Sequence, residues 1–513
     1  MQPNTHSDSP TFANVGVIGA GAMGRGIAQM AAQAGSTVVL FDNQPDAANA
    51  AVAAISQIWE RLVAKGKLTS EEKDRQIGRL SVAKELAGLS QCQLIIEAIV
   101  ERIDIKQTLF GQIESLVSPT TVLATNTSSL SVTAIAAKLQ RPEQFAGFHF
   151  FNPVPLMRVV EVVAGLKTSP AICEKLSAFA SEFGHTAVAA QDTPGFIVNH
   201  AGRGYGTEAL KLAGERVTDF ATTDRILRDQ MGFKLGPFEL MDLTALDVSH
   251  PVMESIYHQY FEEPRYRPSV ITAQRLAGGV VGKKVGEGFY TYQDGTAQVP
   301  KEPDVPAVDE LPAVWVSPKA ARRAELYQLL KDLGARIETA ATPSPTALIL
   351  VAPLGLDVTT LAAVERLDAS RTVGIDMMLE DGATKRRVLA TNPATRLDMR
   401  DAAHALFAKD GKAVSVVRDS GGFVTQRVVA TIINIAADMC QQGVCTPKDL
   451  DLAVTLGLGY PMGPLAMGDR IGPTNVLEIL FNMQTVYGDP RYRPSPWLRR
   501  RGALGLSLSH EEI

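Results

Sequence analysis

The chain has no basic excess. Fifty Lys and Arg stand against 55 Asp and Glu, a net charge of −5. That balance leaves no electrostatic footprint for nucleic acid and argues against it as a partner. Cysteine is scarce. Cys92, Cys173, Cys440 and Cys445 form no CxxC pair, and none stands at zinc spacing from the eight histidines. No metal site is expected, and the thiols read as free and buried in a reducing compartment. Apolar runs of membrane-spanning length are missing. Residues 1–12 (MQPNTHSDSPTF) hold neither the apolar core of a secretory leader nor the Arg of a transit peptide. These absences predict a cytoplasmic chain that does not engage a membrane. At 513 residues, 45% hydrophobic and 20% charged, it exceeds what one core serves and calls for several domains.

What is present begins at Val15. VGVIGAGAMGRGIAQMAAQAGSTVVLFD reads as a strand, Gly19-x-Gly21-x-x-Gly24, a helix to about Ala34 stopped by Gly35, and a second strand ending in Asp42. The glycine pattern alone is weak. Between strand and helix, with an acid 18 residues past the last glycine, it is a dinucleotide signature. Gly19 permits a tight turn, Gly21 lets the backbone approach a pyrophosphate, and Gly24 lets helix and strand pack closely. The helix start, at Ala22 and Met23, turns unpaired N–H groups toward the phosphates. Asp42 is placed to accept from ribose hydroxyls and would repel a 2′-phosphate. The expected cofactor is NAD rather than NADP.

Residues 43–90 read as a helical excursion: a helix over Pro45–Lys65, a break at Gly66, and a charged helix from near Thr69. Arg61, Lys65 and Lys67 gather at its tip, as a solvated helix end or as a cation cluster for a phosphorylated substrate handle. Strands then resume at Leu94–Ala98, Val122–Ala124, Phe145–Phe150 and Val159–Val163. Ser128 lies just past the second of these. It either caps the helix near Val132 or faces a ligand at the carboxyl end of the sheet. His149 sits among Phe148, Phe150 and Phe151, and Glu161 lies within an apolar run. Alone, each could be a core residue. From Phe196 the pattern is helical for roughly 80 residues. Asn199 falls in its first turns, with Arg203 at i+4 on the same face. Tyr292–Pro312 is rich in Pro and acid and reads as an extended linker.

Past the linker the chain repeats itself. DTPGF at 192–196 returns as DSGGF at 419–423, and LGPFELMDL as MGPLAMGDR, both at an offset of 227. PRYRP at 264–268 returns at 490–494. GFHFFNPVPLMRVVEVV falls on GIDMMLEDGATKRRVLA at the same offset of 227. VWVSPKAARRAELYQLLKDLGARIE resembles the Val15 segment at offset 299, so about 72 residues, roughly the helical excursion, are missing from copy two. The comparison is an internal substitution experiment. Gly19, Gly21 and Gly24 become Pro318, Ala320 and Arg323. Asp42, Ser128, His149, Glu161 and Asn199 become Ala341, Gly355, Asp376, Val388 and Gln426. The structural markers survive while the polar set is lost, which favours chemistry over packing for that set. One active half and one degenerate half are expected.

A bound NAD would take hydride from a secondary alcohol, and the protein must then accept the hydroxyl proton. His149 suits that role, with Glu161 fixing its other ring nitrogen. Ser128 and Asn199 remain as hydrogen-bonding groups for the substrate oxygen. VGVIGAGAMGRGIA, EAIVERIDIKQTLF, NTSSL, GFHFFNPVPLMRVVEVV, DTPGFIVN and GKKVGEGFY, in order over Val15–Tyr292, resemble the L-3-hydroxyacyl-CoA dehydrogenase family. The resemblance implies oxidation of (S)-3-hydroxyacyl-CoA to 3-oxoacyl-CoA by NAD. It implies His149 as base, Glu161 as its partner, and Ser128 and Asn199 in support. Asp42, Glu101, Lys106, Asn152 and Lys284 fall on cofactor-contact positions, Ser128 reaches both ligands, and Lys65 falls near a CoA-contact position. The doubled length resembles long bacterial members linked to phenylacetate degradation, which implies 3-hydroxyadipyl-CoA, with 3-hydroxybutyryl-CoA as the other acyl chain. Arg203 is a candidate reader of a distal carboxylate, since copy two has Ala430 there.

The expected architecture is an α/β Rossmann-type NAD-binding domain (12–191) and an all-α domain (192–292). A linker (293–312), a degenerate Rossmann-like domain (313–418) and a second helical domain (419–513) follow. Short family members dimerise through the helical domain, so the fused copies imply a pseudo-dimer within one chain, with a homodimer of whole chains as the alternative. Two rival functions stay open: an NAD-binding structural or regulatory protein without turnover, and a sugar-acid dehydrogenase on the same scaffold.

Overall fold

The computed structural model describes residues 10–379 and 384–512. The leader-free reading of residues 1–9, and positions 380–383 of GIDMMLEDGATKRRVLA, lie outside them. The described chain separates into two compact units. One runs to His200 and takes in Gly443–Leu458; the other holds Ala201–Gln442 and the chain from Gly459 onward.

The first unit is built on an eight-stranded sheet. In chain order its strands are β1 (Asn14–Ile18), β2 (Thr37–Phe41), β3 (Leu80–Val82), β4 (Leu94–Glu97), β5 (Val122–Thr125), β6 (Phe145–Phe150), β7 (Val159–Ala164) and β8 (Thr186–Gln191). The spatial order is β3-β2-β1-β4-β5-β6-β7-β8. Every pairing is parallel except β6 with β7. The inner strands are continuous apolar runs because helices cover both faces of a parallel sheet. The helix Ala22–Ala34 ends at Gly35 in the left-handed region, φ 113°, where its N–H closes back on Ala31 and Ala32. The excursion at 43–90 is helical at Ala47–Ala64 and Ser70–Ile77, and it also supplies edge strand β3. Thr69 and Glu72 form a reciprocal cap on its second helix.

In the second unit a hairpin, β9 (Tyr292–Gln293) and β10 (Thr296–Ala297), precedes the remaining extended segment. That segment is anchored rather than free. Glu302 takes a bidentate pair from Arg386, at 2.7 and 2.9 Å. Six strands follow: β11 (Val314–Val316), β12 (Ile337–Glu338), β13 (Leu348–Val351), β14 (Thr372–Ile375), β15 (Arg386–Thr391) and β16 (Ala413–Arg418). Their order is β12-β11-β13-β14-β15-β16, with β14 and β15 again the antiparallel pair. β15 and β16 lie 227 residues after β7 and β8. The missing stretch is larger than the excursion alone. β11 pairs directly with β13, so copy two has no counterpart of β3, β4 or the helix Ile103–Leu116. A sheet tolerates this loss because β11 can pair with the β5 equivalent once the intervening strand is gone.

Contacts between the copies recur at the same offset. Gln191 N–H donates to Val444 O, and Arg418 N–H donates to Val217 O. The helix Pro447–Leu458 packs on β7 and β8; its counterpart Phe220–Met231 packs on β15. A Cβ on Gly457 would meet Val198 at 3.0 Å and Val159 at 3.5 Å. The equivalent Gln230 bonds to Thr425 and Arg386, the residues equivalent to Val198 and Val159. The helices Arg203–Gly214 and Thr425–Gln441 pack together, with Gly204 against Ile432. Every residue from Thr425 to Cys440 is buried.

Candidate active site

The glycine turn sits where the sheet order reverses, between β1 and β4, the place where doubly wound sheets bind ligands. Gly24 has no alternative there: a Cβ would lie 1.8 Å from Gly19 O. At Gly21 the same test meets nothing within 4 Å, so the backbone is open to an approaching group. The adjoining cleft measures about 880 Å³ and is lined by Gly19, Gly21, Asp42, Leu86, Ile105 and Leu109 among others. It offers an apolar slot, a carboxylate and a helix N-terminus, the donor set a dinucleotide requires. Asp42 is fixed at the end of β2 by N–H groups of Ala20, at 2.7 Å, and Gln44, at 2.9 Å.

Behind the cleft lies a buried ionic cluster that the sequence reading only half saw. Lys106 is fully buried, its ammonium 2.5 Å from Glu97 and 3.3 Å from Glu101. Glu97 also accepts from Thr125 Oγ1 at 2.6 Å and from Ile99 N–H. Glu101 accepts from Thr127 Oγ1 at 2.6 Å and from the N–H groups of Ser128 and Ser129. Burial pulls the Glu101 carboxyl upward, but Lys106 and these hydrogen bonds hold it below its ordinary value. Lys106 therefore braces β4 and the NTSSL loop from inside the fold. Glu97, which no spacing rule flagged, is its main partner.

His149 and Glu161 are register partners across the antiparallel β6–β7 pair. Twelve residues apart in sequence, they meet with Nδ1 2.5 Å from Glu161 Oε2. The second carboxylate oxygen is held as well: Oε1 accepts from Ile197 N–H at 2.9 Å and Val198 N–H at 2.8 Å. Those donors open the short helix Val198–Ala201. The turn before it is strained, with Gly195 at φ 79° and Phe196 at φ 47°. Both residues of the pair are buried, and Phe151 and Phe196 rings flank the imidazole at 4.5 and 5.8 Å. Asn126 Oδ1 fixes the strand just beyond by accepting from Phe150 N–H at 2.8 Å. Nδ1 is committed to the carboxylate, which leaves Nε2 as the nitrogen for chemistry.

Ser128 does not cap the following helix; Ser131 does, accepting from Ala134 N–H. Asp192 reinforces that start through Val132 and Thr133 N–H, a task repeated by Asp419 on Val358 and Thr359. Ser128 is half-buried, its N–H on Glu101. Asn199 lies in the helix Val198–Ala201 that Glu161 anchors. Asn152 is exposed in the loop after β6, and Lys65 is exposed at the end of its helix. Lys284 pairs with Asp247 in the second unit, which also holds Arg203.

Copy two shows what became of the same frame. Gly355, Asp376 and Gln426 stand where Ser128, His149 and Asn199 do, and they bond to one another. Gln426 Oε1 accepts from Gly355 N–H at 2.8 Å; its Nε2 donates to Asp376 at 2.9 Å and to Pro353 O at 3.0 Å. Gly355 is pressed against the helix Pro473–Tyr487, where a Cβ would lie 2.3 Å from Ile479 O. The groups at the three equivalent positions thus satisfy one another.

Comparison with known proteins agrees with this geometry. A family model described as "3-hydroxyacyl-CoA dehydrogenase, NAD binding domain" matches residues 14–193. Its companion, the C-terminal domain of that family, matches twice, at 195–292 and 422–507. The 3-hydroxyadipyl-CoA dehydrogenase of Escherichia coli K12 is 36% identical over 493 residues, 96% of this chain and 97% of that protein. The chain belongs to the 3-hydroxyacyl-CoA dehydrogenase family. It is an oxidoreductase that uses NAD. A crystal structure of an E. coli K12 protein named 3-hydroxybutyryl-CoA dehydrogenase superposes with a TM-score of 0.83. It is 36% identical, over 96% of this chain and 99% of that one. A probable 3-hydroxybutyryl-CoA dehydrogenase of Deinococcus radiodurans is 39% identical over 54% of this chain and 99% of its own length. That protein corresponds in length to one copy. Among the described residues no helix is long and apolar enough to cross a membrane.

Proposed function

We propose that the first half of this chain oxidises (S)-3-hydroxyacyl-CoA esters at C3, with His149 as the base. The observation that carries the reading is the His149–Glu161 pair, clamped on the carboxylate side by Ile197 and Val198. Bound NAD supplies the hydride acceptor. His149 Nε2 takes the hydroxyl proton as the C3–H bond gives up its electron pair. The C–O single bond becomes the carbonyl, and Glu161 balances the imidazolium charge. Ser128 and Asn199 orient the substrate oxygen, and Lys65 meets a phosphate of CoA. Asp42, Glu101, Asn152 and Lys284 serve the cofactor, and Lys106 holds Glu101 in place. Because the E. coli relative that spans both copies is named for 3-hydroxyadipyl-CoA, that ester is our first candidate and 3-hydroxybutyryl-CoA our second. The reaction is placed in the cytoplasm.

The two copies act as a pseudo-dimer. What supports this is that contacts recur reciprocally at one offset, as an isologous interface requires: the helix Pro447–Leu458 packs on β7 and β8, and Phe220–Met231 packs on β15.

The test is NADH formation from 3-hydroxyadipyl-CoA and 3-hydroxybutyryl-CoA beside the free hydroxy acids and hexonate-type sugar acids. Turnover of the CoA esters alone is expected. Turnover of the free acids would favour the sugar-acid reading, and NAD binding without any turnover would favour a structural or regulatory protein.

A further inference from the structure

The second unit holds a groove of about 690 Å³ that the dehydrogenase chemistry does not use. Both copies and the linker contribute to it. The end of β16 supplies Arg418, the helix Leu397–Phe407 supplies Arg400 and His404 one turn apart, and the turn after the helix Arg203–Gly214 supplies Arg216. Arg418 N–H donates to Val217 O at 3.0 Å, which holds the end of β16 against that turn. Pro303 and Pro306 of the linker form a further wall. That wall is fixed, because the adjoining Glu302 is held by Arg386 at 2.7 and 2.9 Å.

The charges in the groove do not cancel. Asp219 is committed to the helix it caps, accepting from Thr222 N–H and Oγ1 at 2.8 Å. Asp304 pairs with Lys301 at 2.9 Å, and Asp401 with Arg400 at 2.7 Å. Arg216 and Arg418 have no ion pair and no side-chain hydrogen bond among the described residues. His404 lines the groove and is only 9% exposed, yet its ring has no hydrogen-bond partner among them either. A buried polar group left unpaired is costly, and such groups are retained where something else completes them.

The internal repeat supplies the control. At the offset of 227, Arg216 corresponds to Gly443, Arg400 to Cys173, His404 to Ser177 and Arg418 to Gln191. The backbone frame is common to both, since Gln191 N–H donates to Val444 O as Arg418 N–H does to Val217 O. The four basic side chains thus occur at only one of two equivalent places, and the frame stands without them at the other. Three guanidinium groups and an imidazole around one cavity match a multiply charged phosphoryl group, which accepts from arginine in bidentate fashion. Phe220, Val414 and Val416 add an apolar wall, and the volume is that of a small-molecule site. We propose that this groove is a phosphoryl-anion site, in which Arg216, Arg418 and His404 hold the anion and Arg400 adds its charge. The site goes beyond the dehydrogenase reading and gives the second half a ligand of its own.

The experiment is calorimetric titration of the full chain, saturated with NADH so that the dinucleotide cleft is taken, with inorganic pyrophosphate and with ADP as probes. The proteins are the parent chain, the double variant Arg216→Gly with Arg418→Gln, and His404→Ser. Each change installs the residue found at the equivalent place in the other copy. Glycine also suits the left-handed backbone at Arg216, φ 57°, and NADH binding checks that every variant is folded. The parent is expected to bind one pyrophosphate per chain. Losing charge-assisted hydrogen bonds is expected to weaken it about 100-fold in the double variant and about 10-fold in His404→Ser. ADP bound more tightly than pyrophosphate, with the same losses, identifies an organic phosphate as the ligand; equal affinities identify the free ion. A parent that binds neither probe, or variants that bind both as the parent does, overturns the proposal.

Discussion

Replacing His149 with Gln is expected to lower kcat by ~10²–10⁴-fold, the usual worth of a positioned general base. Glu161→Gln is expected to lose nearly as much, for a reason specific to this geometry. One Glu161 oxygen already accepts two backbone N–H groups, from Ile197 and Val198, and the other faces His149 Nδ1 at 2.5 Å. A glutamine has one carbonyl oxygen, and the two N–H donors hold it. Its NH₂ would then face Nδ1, which could only accept. The ring proton would move to Nε2, and the nitrogen needed as base would be blocked. Steady-state kcat and KM for both variants, with NADH binding as a control for folding, check this. A Glu161→Gln enzyme within tenfold of the parent would show that the carboxylate does not set the tautomer.

A chain ending in the linker, residues 1–300, is expected to dimerise or to fail to remain soluble. It would lack the helix Thr425–Gln441 that packs on Arg203–Gly214, and the helix Pro447–Leu458 that packs on β7 and β8. It would also lose a buried ionic cluster. Arg427 donates to Glu208 at 2.5 Å and to Glu215 at 2.6 and 2.9 Å, and Arg491 reaches Glu208 at 3.0 Å. Glu208 and Arg427 have no solvent exposure. An uncompensated Glu208 would cost ~3–5 kcal/mol. A second half-chain can offer its own Phe220–Met231 helix where Pro447–Leu458 now sits, so the exposed face is self-complementary and a dimer is its natural repair. Sedimentation and activity of the half-chain decide it. A soluble, monomeric and fully active product would mean that copy two does not stand in for a partner subunit.

The parts of the fold legible in the sequence are those carried by local pattern. β1, the glycine turn and Asp42 follow one another within one βαβ unit, and the His149–Glu161 pair could be anticipated because the internal repeat replaced both members together. Long-range partners could not be read. Glu97 falls inside the strand expected over Leu94–Ala98 and no pattern singled it out, yet it sits in a buried cluster with Lys106 and Thr125. Spacing alone left Ser128 between a helix cap and a ligand-facing residue; the cap is Ser131. The 72-residue gap in copy two was assigned to the excursion because helices are the conspicuous element there. Only strand pairing shows that β4 and its following helix are gone too.

One half of the chain carries the dinucleotide signature, while the other half has lost it and satisfies the equivalent polar groups among themselves. Gln426, Gly355 and Asp376 satisfy one another where a substrate oxygen would bind, and Pro318 and Arg323 replace two turn glycines. Calorimetric titration of the full chain with NADH tests this most directly. One NADH bound per chain is predicted. Two per chain would show that the second copy is open, and none would remove the dinucleotide reading on which the first copy's chemistry rests.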